Sequence, residues 1–165
     1  MTAVARTRPC LFLDRDGVIN VPPAPGDYLR SAGEFRLMPG IADWIRLFRA
    51  CGFLVIVVTN QRGVARGLTR PGDLVAIHAR MSEELRRLGA PLDDILCCPH
   101  DEGQCDCRKP RPGLIREADR RWNIDLPSSL MIGDSESDRQ LAENCGMSFA
   151  LARDGHILDI VCRAR

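Results

Sequence analysis

Lysine is almost missing from this sequence. Of 23 basic residues in 165, 22 are arginine and one is Lys109. Charge of either sign is not in excess, because 22 acidic residues leave a formal net charge of +1. That balance excludes a chain that holds nucleic acid or an anionic membrane by bulk electrostatics. Aromatics make up only 5%, too few for the stacking platforms that bind single-stranded nucleic acid. Long apolar runs are lacking too: the longest, Phe53 to Val58, is far too short to span a bilayer. No apolar leader with a small-residue cleavage site stands near the N-terminus. Repeats, low-complexity tracts and long linkers are absent as well. The expectation is a single domain over residues 1–165, cytoplasmic and monomeric, without nucleic-acid or membrane partners. A chain of this length buries roughly 70% of its unfolded surface and so supports a full core.

Cysteine, by contrast, is plentiful at eight residues. Without an export signal the reducing cytosol is expected, where thiols stay free or bind metal. Cys10, Cys51, Cys145 and Cys162 are scattered among apolar neighbours and read as small buried hydrophobes. Cys97, Cys98, Cys105 and Cys107 crowd together and need another explanation.

Short apolar runs alternate with helical patterns. Cys10–Leu13, Phe53–Val58, Ile95–Cys97, Leu130–Ile132 and Phe149–Leu151 have the length of buried strands. Between them Ile41, Trp44, Ile45 and Phe48 share one helical face, as do Leu74, Ile77, Met81, Leu85 and Leu88, and then Leu114, Ile115, Ala118 and Trp122. A last helix is predicted from Glu136 to Cys145, stopped by Gly146. The fold class is α/β: a Rossmann-like parallel sheet with helices on both faces, whose ligands bind beyond the carboxyl ends of strands.

The strand ends carry the chemistry. The first runs into Asp14-Arg-Asp16-Gly17, two carboxylates that repel unless a cation or proton compensates, although an Asp-rich turn closed by glycine has the same composition. The second ends in Thr59-Asn60-Gln61-Arg62-Gly63, a hydroxyl and an amide beside backbone N–H groups suited to an anion, or a plain helix cap. The fourth ends in Gly133-Asp134-Ser-Glu-Ser-Asp138, where Asp134 is either a site acid or the cap of the next helix. In the loop between, Cys98-x-His100 and Cys105-x-Cys107 supply three thiolates and an imidazole, a set suited to tetrahedral Zn²⁺, with free thiols or a local disulfide as the alternatives. His78 and His156 read as structural or surface residues. Lys109 follows that loop at a position where a compact ammonium serves and a planar guanidinium does not, unless it is a chance survivor of the arginine bias.

Together Asp14-x-Asp16-Gly-Val, Thr59, Lys109 and Gly-Asp134-x-x-x-Asp138 resemble the haloacid dehalogenase superfamily of phosphotransferases. The strings LFLDRDGVIN, VTNQRGVARG and CPH…CDCRKP are similar to the branch of heptose-1,7-bisphosphate 7-phosphatases and histidinol-phosphate phosphatases. The resemblance spans roughly residues 10 to 152. It implies an aspartyl-phosphate mechanism with Asp14 as nucleophile, Asp16 as acid and base, and Thr59 and Lys109 on the phosphoryl oxygens. It implies Mg²⁺ on Asp14, the Asp16 carbonyl and Asp134, with Asp138 in support. A structural Zn²⁺ is expected on Cys98, His100, Cys105 and Cys107. Asn60, Gln61, Arg62 and Arg108 map to substrate recognition, and the partner is a small phosphorylated sugar or polyol.

There is no room for a separate cap domain, so specificity is expected from residues 21–37, 61–70 and the zinc-bound loop. Arg62 stands where heptose enzymes usually have serine, and the zinc loop is shorter than theirs. A heptose bisphosphate is the favoured substrate, with histidinol phosphate or another sugar phosphate as alternatives. A non-catalytic regulatory module and a polynucleotide-end phosphatase are the competing classes. The acidic strand ends speak against the first, and neutral charge with few aromatics against the second.

Overall fold

The computed structural model describes residues 7–154 and 156–161. Six strands form one sheet: β1 (Cys10–Leu13), β2 (Leu54–Asn60), β3 (Asp94–Cys98), β4 (Leu130–Gly133), β5 (Ser148–Arg153) and β6 (His156–Val161). Their order is β3-β2-β1-β4-β5-β6. The first five strands pair in parallel, and β6 returns antiparallel to β5. Four helices cover the sheet: α1 (Ile41–Ala50), α2 (Pro71–Arg87), α3 (Gly113–Trp122) and α4 (Glu136–Cys145).

Strand alternation explains the two layers. Leu11, Leu13, Val55, Val57 and Ile132 point to one side, where Ile41 and Ile45 of α1 and Ile77, Met81 and Leu85 of α2 cover them. Cys10, Phe12, Leu54, Ile56, Val58 and Met131 point to the other, against Leu114, Ile115 and Ala118 of α3 and Leu141 and Ala142 of α4. All four residues of β1 are buried, as a central strand with helices on both faces requires. The chain winds outward from β1 through β2 to β3, then crosses back to β4 on the far side. Strand order therefore reverses at β1, and its carboxyl end opens beside that of β4 into a crevice. Among the described residues no inserted domain stands over it.

Several expectations are corrected. β2 runs on to Asn60, so Thr59 and Asn60 belong to the strand and not to the turn after it. β6 was not anticipated from the pattern; it completes a hairpin through Asp154, which takes a positive φ of 51°. Cys51 is exposed because it ends α1 and turns with Gly52 away from the sheet, and Cys145 is only half-buried. Cys162 lies outside the described residues. Trp122, the last member of its helical stripe, sits at the surface with its indole N–H donating to Asp94 Oδ2 at 3.1 Å. Ser135, and not Asp134, is the N-cap of α4, and Asp138 Oδ2 accepts from its N–H at 3.2 Å and its hydroxyl at 2.6 Å.

Ile77 is fully buried where α2 meets the sheet. Ile77→Ala is expected to lower the unfolding free energy by about 2–5 kcal/mol through lost transfer energy and an unfilled cavity, measured by urea denaturation with an unchanged slope.

Candidate active site

Asp14 leaves β1 with its N–H still bonded to Ile132 O of β4 at 3.0 Å. The loop that follows is tight: the N–H groups of Ile19 and Asn20 converge on the Arg15 carbonyl at 2.8 and 3.0 Å. Gly17 takes a φ of +83°, and a Cβ placed there would lie 1.9 Å from Asp134 Oδ2. Glycine is required twice over, by its dihedral and by the carboxylate leaning across it. Asp14, Asp134 and Asp138 thus gather their oxygens within 4.8 Å of one another.

Lys109 reaches into this cluster with its side chain 2% exposed. Its ammonium lies 2.8 Å from Asp14 Oδ1 and 2.7 Å from Asp138 Oδ1, and donates to Val58 O at 2.9 Å. Burial alone would lower its pKa, but the Asp14 and Asp138 charges outweigh it and hold the lysine above its usual range. Three carboxylates against one ammonium remain overcharged. Burial first, then the Asp138 and Asp16 charges, push the Asp14 carboxyl up to about 7 despite Lys109. A cluster of hard oxygen donors with surplus negative charge is the donor set that a small divalent cation such as Mg²⁺ takes.

Asn60 is turned toward the backbone of Lys109: its Oδ1 accepts from Lys109 N at 3.0 Å and its Nδ2 donates to Lys109 O at 3.2 Å. β2 thereby fixes the lysine directly. The buried Thr59 hydroxyl accepts from Gln61 Nε2 at 2.8 Å, and the same amide donates to Asp16 Oδ2 at 3.1 Å. Asp16 is not a member of the three-carboxylate cluster. Arg15, 1% exposed, grips it through Nε and Nη2 at 2.9 to 3.2 Å, and Asn20 Nδ2 donates to its Oδ1 at 3.0 Å. Arg15, Asn20 and His78 were missed as members of this site. The signals were present: Arg15 alternates with two aspartates at a strand exit, and His78 falls four residues after Leu74 and three before Met81 on a core stripe.

The second cluster takes Cys98 from the end of β3 and its other members from the loop between β3 and α3. Cys98 Sγ is 3.4 Å from Cys105 Sγ and 3.7 Å from His100 Nδ1, while Cys107 Sγ is 3.1 Å from Cys105 Sγ and 3.4 Å from His100 Nδ1. The cysteines are free, with sulfurs well beyond the disulfide length of about 2.0 Å. Tetrahedral zinc, with Zn–S near 2.3 Å, separates its donors by roughly 3.5–3.8 Å; the set here, at 3.1 to 3.7 Å, is somewhat tighter and matches that ion in donor type and number. Cys97 is half-buried beside the cluster and outside it.

Arg62 spans to the loop between β3 and α3, with Nε 2.5 Å from Asp101 Oδ1 and Nη1 3.0 Å from Glu102 Oε1. Arg108 instead borders a cavity of 380 Å³ shared with Glu102, Lys109, Arg111 and Ser137. Its Nη1 is buried without a partner. Residues 61–70 are fastened to residues 21–37: a Cβ on Gly63 would lie 2.8 Å from the Tyr28 ring, and Thr69 Oγ1 donates to Leu29 O at 3.0 Å.

Lys109→Met would leave Asp14 and Asp138 facing each other in a buried slot. The expected cost is about 3–5 kcal/mol, as for other broken buried ion pairs. Adding Asp138→Asn is expected to recover part of it, and a double-mutant cycle by urea denaturation measures the coupling.

Comparison with known proteins places this geometry. The family model described as HAD-hydrolase-like matches residues 106–158. A D-glycero-beta-D-manno-heptose-1,7-bisphosphate 7-phosphatase of Rhodopseudomonas palustris is 44% identical over 155 residues, 89% of this chain and 84% of that protein. The alpha-anomer 7-phosphatase of Mycobacterium bovis is 44% identical over 137 residues, covering 82% of this chain and 72% of that protein. The crystal structure of D,D-heptose 1,7-bisphosphate phosphatase from B. bronchiseptica, complexed with magnesium and phosphate, superposes with a TM-score of 0.81 at 36% identity, covering 89% and 83% of the two chains. With identity of this order over most of both chains, and the acidic strand ends in register with one sheet, the chain belongs to the haloacid dehalogenase-like phosphoric monoester hydrolases, in the heptose-1,7-bisphosphate 7-phosphatase branch.

Proposed function

We propose that the chain removes the 7-phosphate of D-glycero-D-manno-heptose 1,7-bisphosphate by way of an aspartyl-phosphate on Asp14, with Mg²⁺ as cofactor. The observation that carries this reading is the Asp14–Lys109–Asp138–Asp134 cluster at the switch point of the sheet. Asp14 attacks phosphorus in line as the bond to the leaving oxygen breaks. Asp16 gives its proton to the departing alkoxide and then takes one from the water that hydrolyses the acyl phosphate. Thr59 and Lys109 balance charge on the phosphoryl oxygens. Mg²⁺, held by Asp14, the Asp16 carbonyl and Asp134 with Asp138 behind them, would offset the repulsion between two anions that must meet.

The 380 Å³ cavity favours a substrate with a second anionic end. Arg108, with an unpartnered buried N–H, and Arg111 line it opposite Glu102. Histidinol phosphate would bring an ammonium to the same walls. In this reading Asn60 acts on substrate by fixing Lys109, Gln61 by orienting Asp16, and Arg62 by holding the zinc loop. Zn²⁺ on Cys98, His100, Cys105 and Cys107 folds that loop and stays outside the chemistry.

Asp14→Asn is expected to reduce phosphate release by at least about 10³-fold, since it removes the nucleophile; wild-type turnover in that variant would eliminate the covalent route. On the heptose bisphosphate, kcat/KM is expected to exceed that on histidinol phosphate at least roughly tenfold, and the reverse order would transfer the assignment. Elemental analysis should find one zinc per chain, lost in Cys105→Ser together with a lower melting midpoint. A fully folded, equally stable zinc-free protein would remove the structural role.

A further inference from the structure

We propose that His78 of α2 is a positioning residue for Asp16, acting through Arg15. The inference rests on the acid–base role given to Asp16 in the proposed function. Arg15 is the largest of the fully buried side chains, and one edge of its guanidinium is spent on Asp16. The remaining edge also needs an acceptor, because a buried N–H without one costs the full desolvation of that group. Nη1 finds it in His78 Nε2, 3.3 Å away. Among the described residues Asp16 is the one carboxylate within ion-pair distance of Arg15.

The identity of that acceptor matters. A second carboxylate at this position would compete with Asp16 for the guanidinium, and a cation would repel it. A neutral ring nitrogen fixes the fork without drawing charge away from Asp16. Burial first, and the Arg15 charge second, lower the His78 pKa to about 4, which keeps the ring neutral across the working range of pH. For Nε2 to accept, the single ring proton must sit on Nδ1. Asn20 and Gln61 supply the other donors to Asp16, so the carboxylate is held from three sides and its main support is braced at the far end by His78.

The test exploits leaving-group chemistry. Up to and including phosphoryl transfer, an alkyl phosphate needs a proton on its departing oxygen, whereas p-nitrophenyl phosphate does not. In the magnesium-loaded full-length protein, His78→Leu is expected to lower kcat/KM for an alkyl phosphate about tenfold, part of the 10²–10⁴ that positioned acid catalysis supplies, and for p-nitrophenyl phosphate less than about twofold. His78→Gln, whose carbonyl can accept from Arg15, should restore most of the alkyl activity. Should the leucine variant not fold, His78→Asn, with an amide too short to reach, takes its place. Equal losses on both esters, or no loss in a folded variant, would overturn the inference, as would a ¹⁵N NMR spectrum placing the His78 proton on Nε2. Asp16→Asn separates the two levels: if it shows no selective loss on the alkyl ester, the acid–base assignment itself fails. If it does and the His78 variants do not, only the role of His78 fails.

Discussion

A single buried ammonium makes the site possible. Asp14 and Asp134 follow the ends of two adjacent parallel strands and Asp138 stands in the first turn of α4, where packing brings their oxygens together and burial strips them of water. Carboxylates in such a position cannot all stay charged without a counter-charge. Lys109 supplies one unit of it from inside the fold, at 2.8 and 2.7 Å from two of the three acids. Its tetrahedral head meets Asp14, Asp138 and the Val58 carbonyl in three directions, which a planar guanidinium could not do from the same slot. That geometry accounts for a lysine at this position in a chain that otherwise uses arginine. The charge left over is of the kind a divalent cation neutralises.

Everything near Lys109 serves to hold it or to hold its neighbours. β2 binds its backbone through Asn60, and the loop after β3 delivers it from the other side. Cys98, His100, Cys105 and Cys107 converge at that loop, which places one metal-competent donor set next to the lysine. Arg62 ties the same loop to the chain after β2 through Asp101 and Glu102. On the opposite flank, Arg15 confines Asp16 and keeps it out of the carboxylate cluster. The two acids of the Asp14-x-Asp16 pair are thereby sent into different electrostatic surroundings, one crowded by anions and one paired with a cation.

Much of this was legible because it depends on local pattern. Strand length, helical stripes and the position of Gly146 follow from side-chain periodicity, and the donor chemistry of the two clusters follows from residue type at short spacing. What escaped depends on three-dimensional choices between equally allowed partners. Arg62 looked free to meet substrate because its acidic partners lie some 40 residues away in sequence. Asp134 could be read as site acid or as cap because the two occupy neighbouring positions, and the structure gives the cap to Ser135. His78 looked like filler because a buried histidine has meaning only once Arg15 is seen beside it. The β6 strand was missed because a hairpin edge pairs on one side and carries a weaker pattern than the buried strands.

The contact between Tyr28 and Gly63 has a consequence for how such an enzyme changes its substrate. It seats an aromatic ring directly on the backbone of the neighbouring segment, with Thr69 bonded to Leu29 beside it. The two stretches 21–37 and 61–70 are therefore packed as one piece. A new side chain at position 63 displaces the ring, and a smaller residue at 28 leaves a gap that the other segment must fill. Reshaping either stretch for another ligand therefore calls for paired changes, one in each segment.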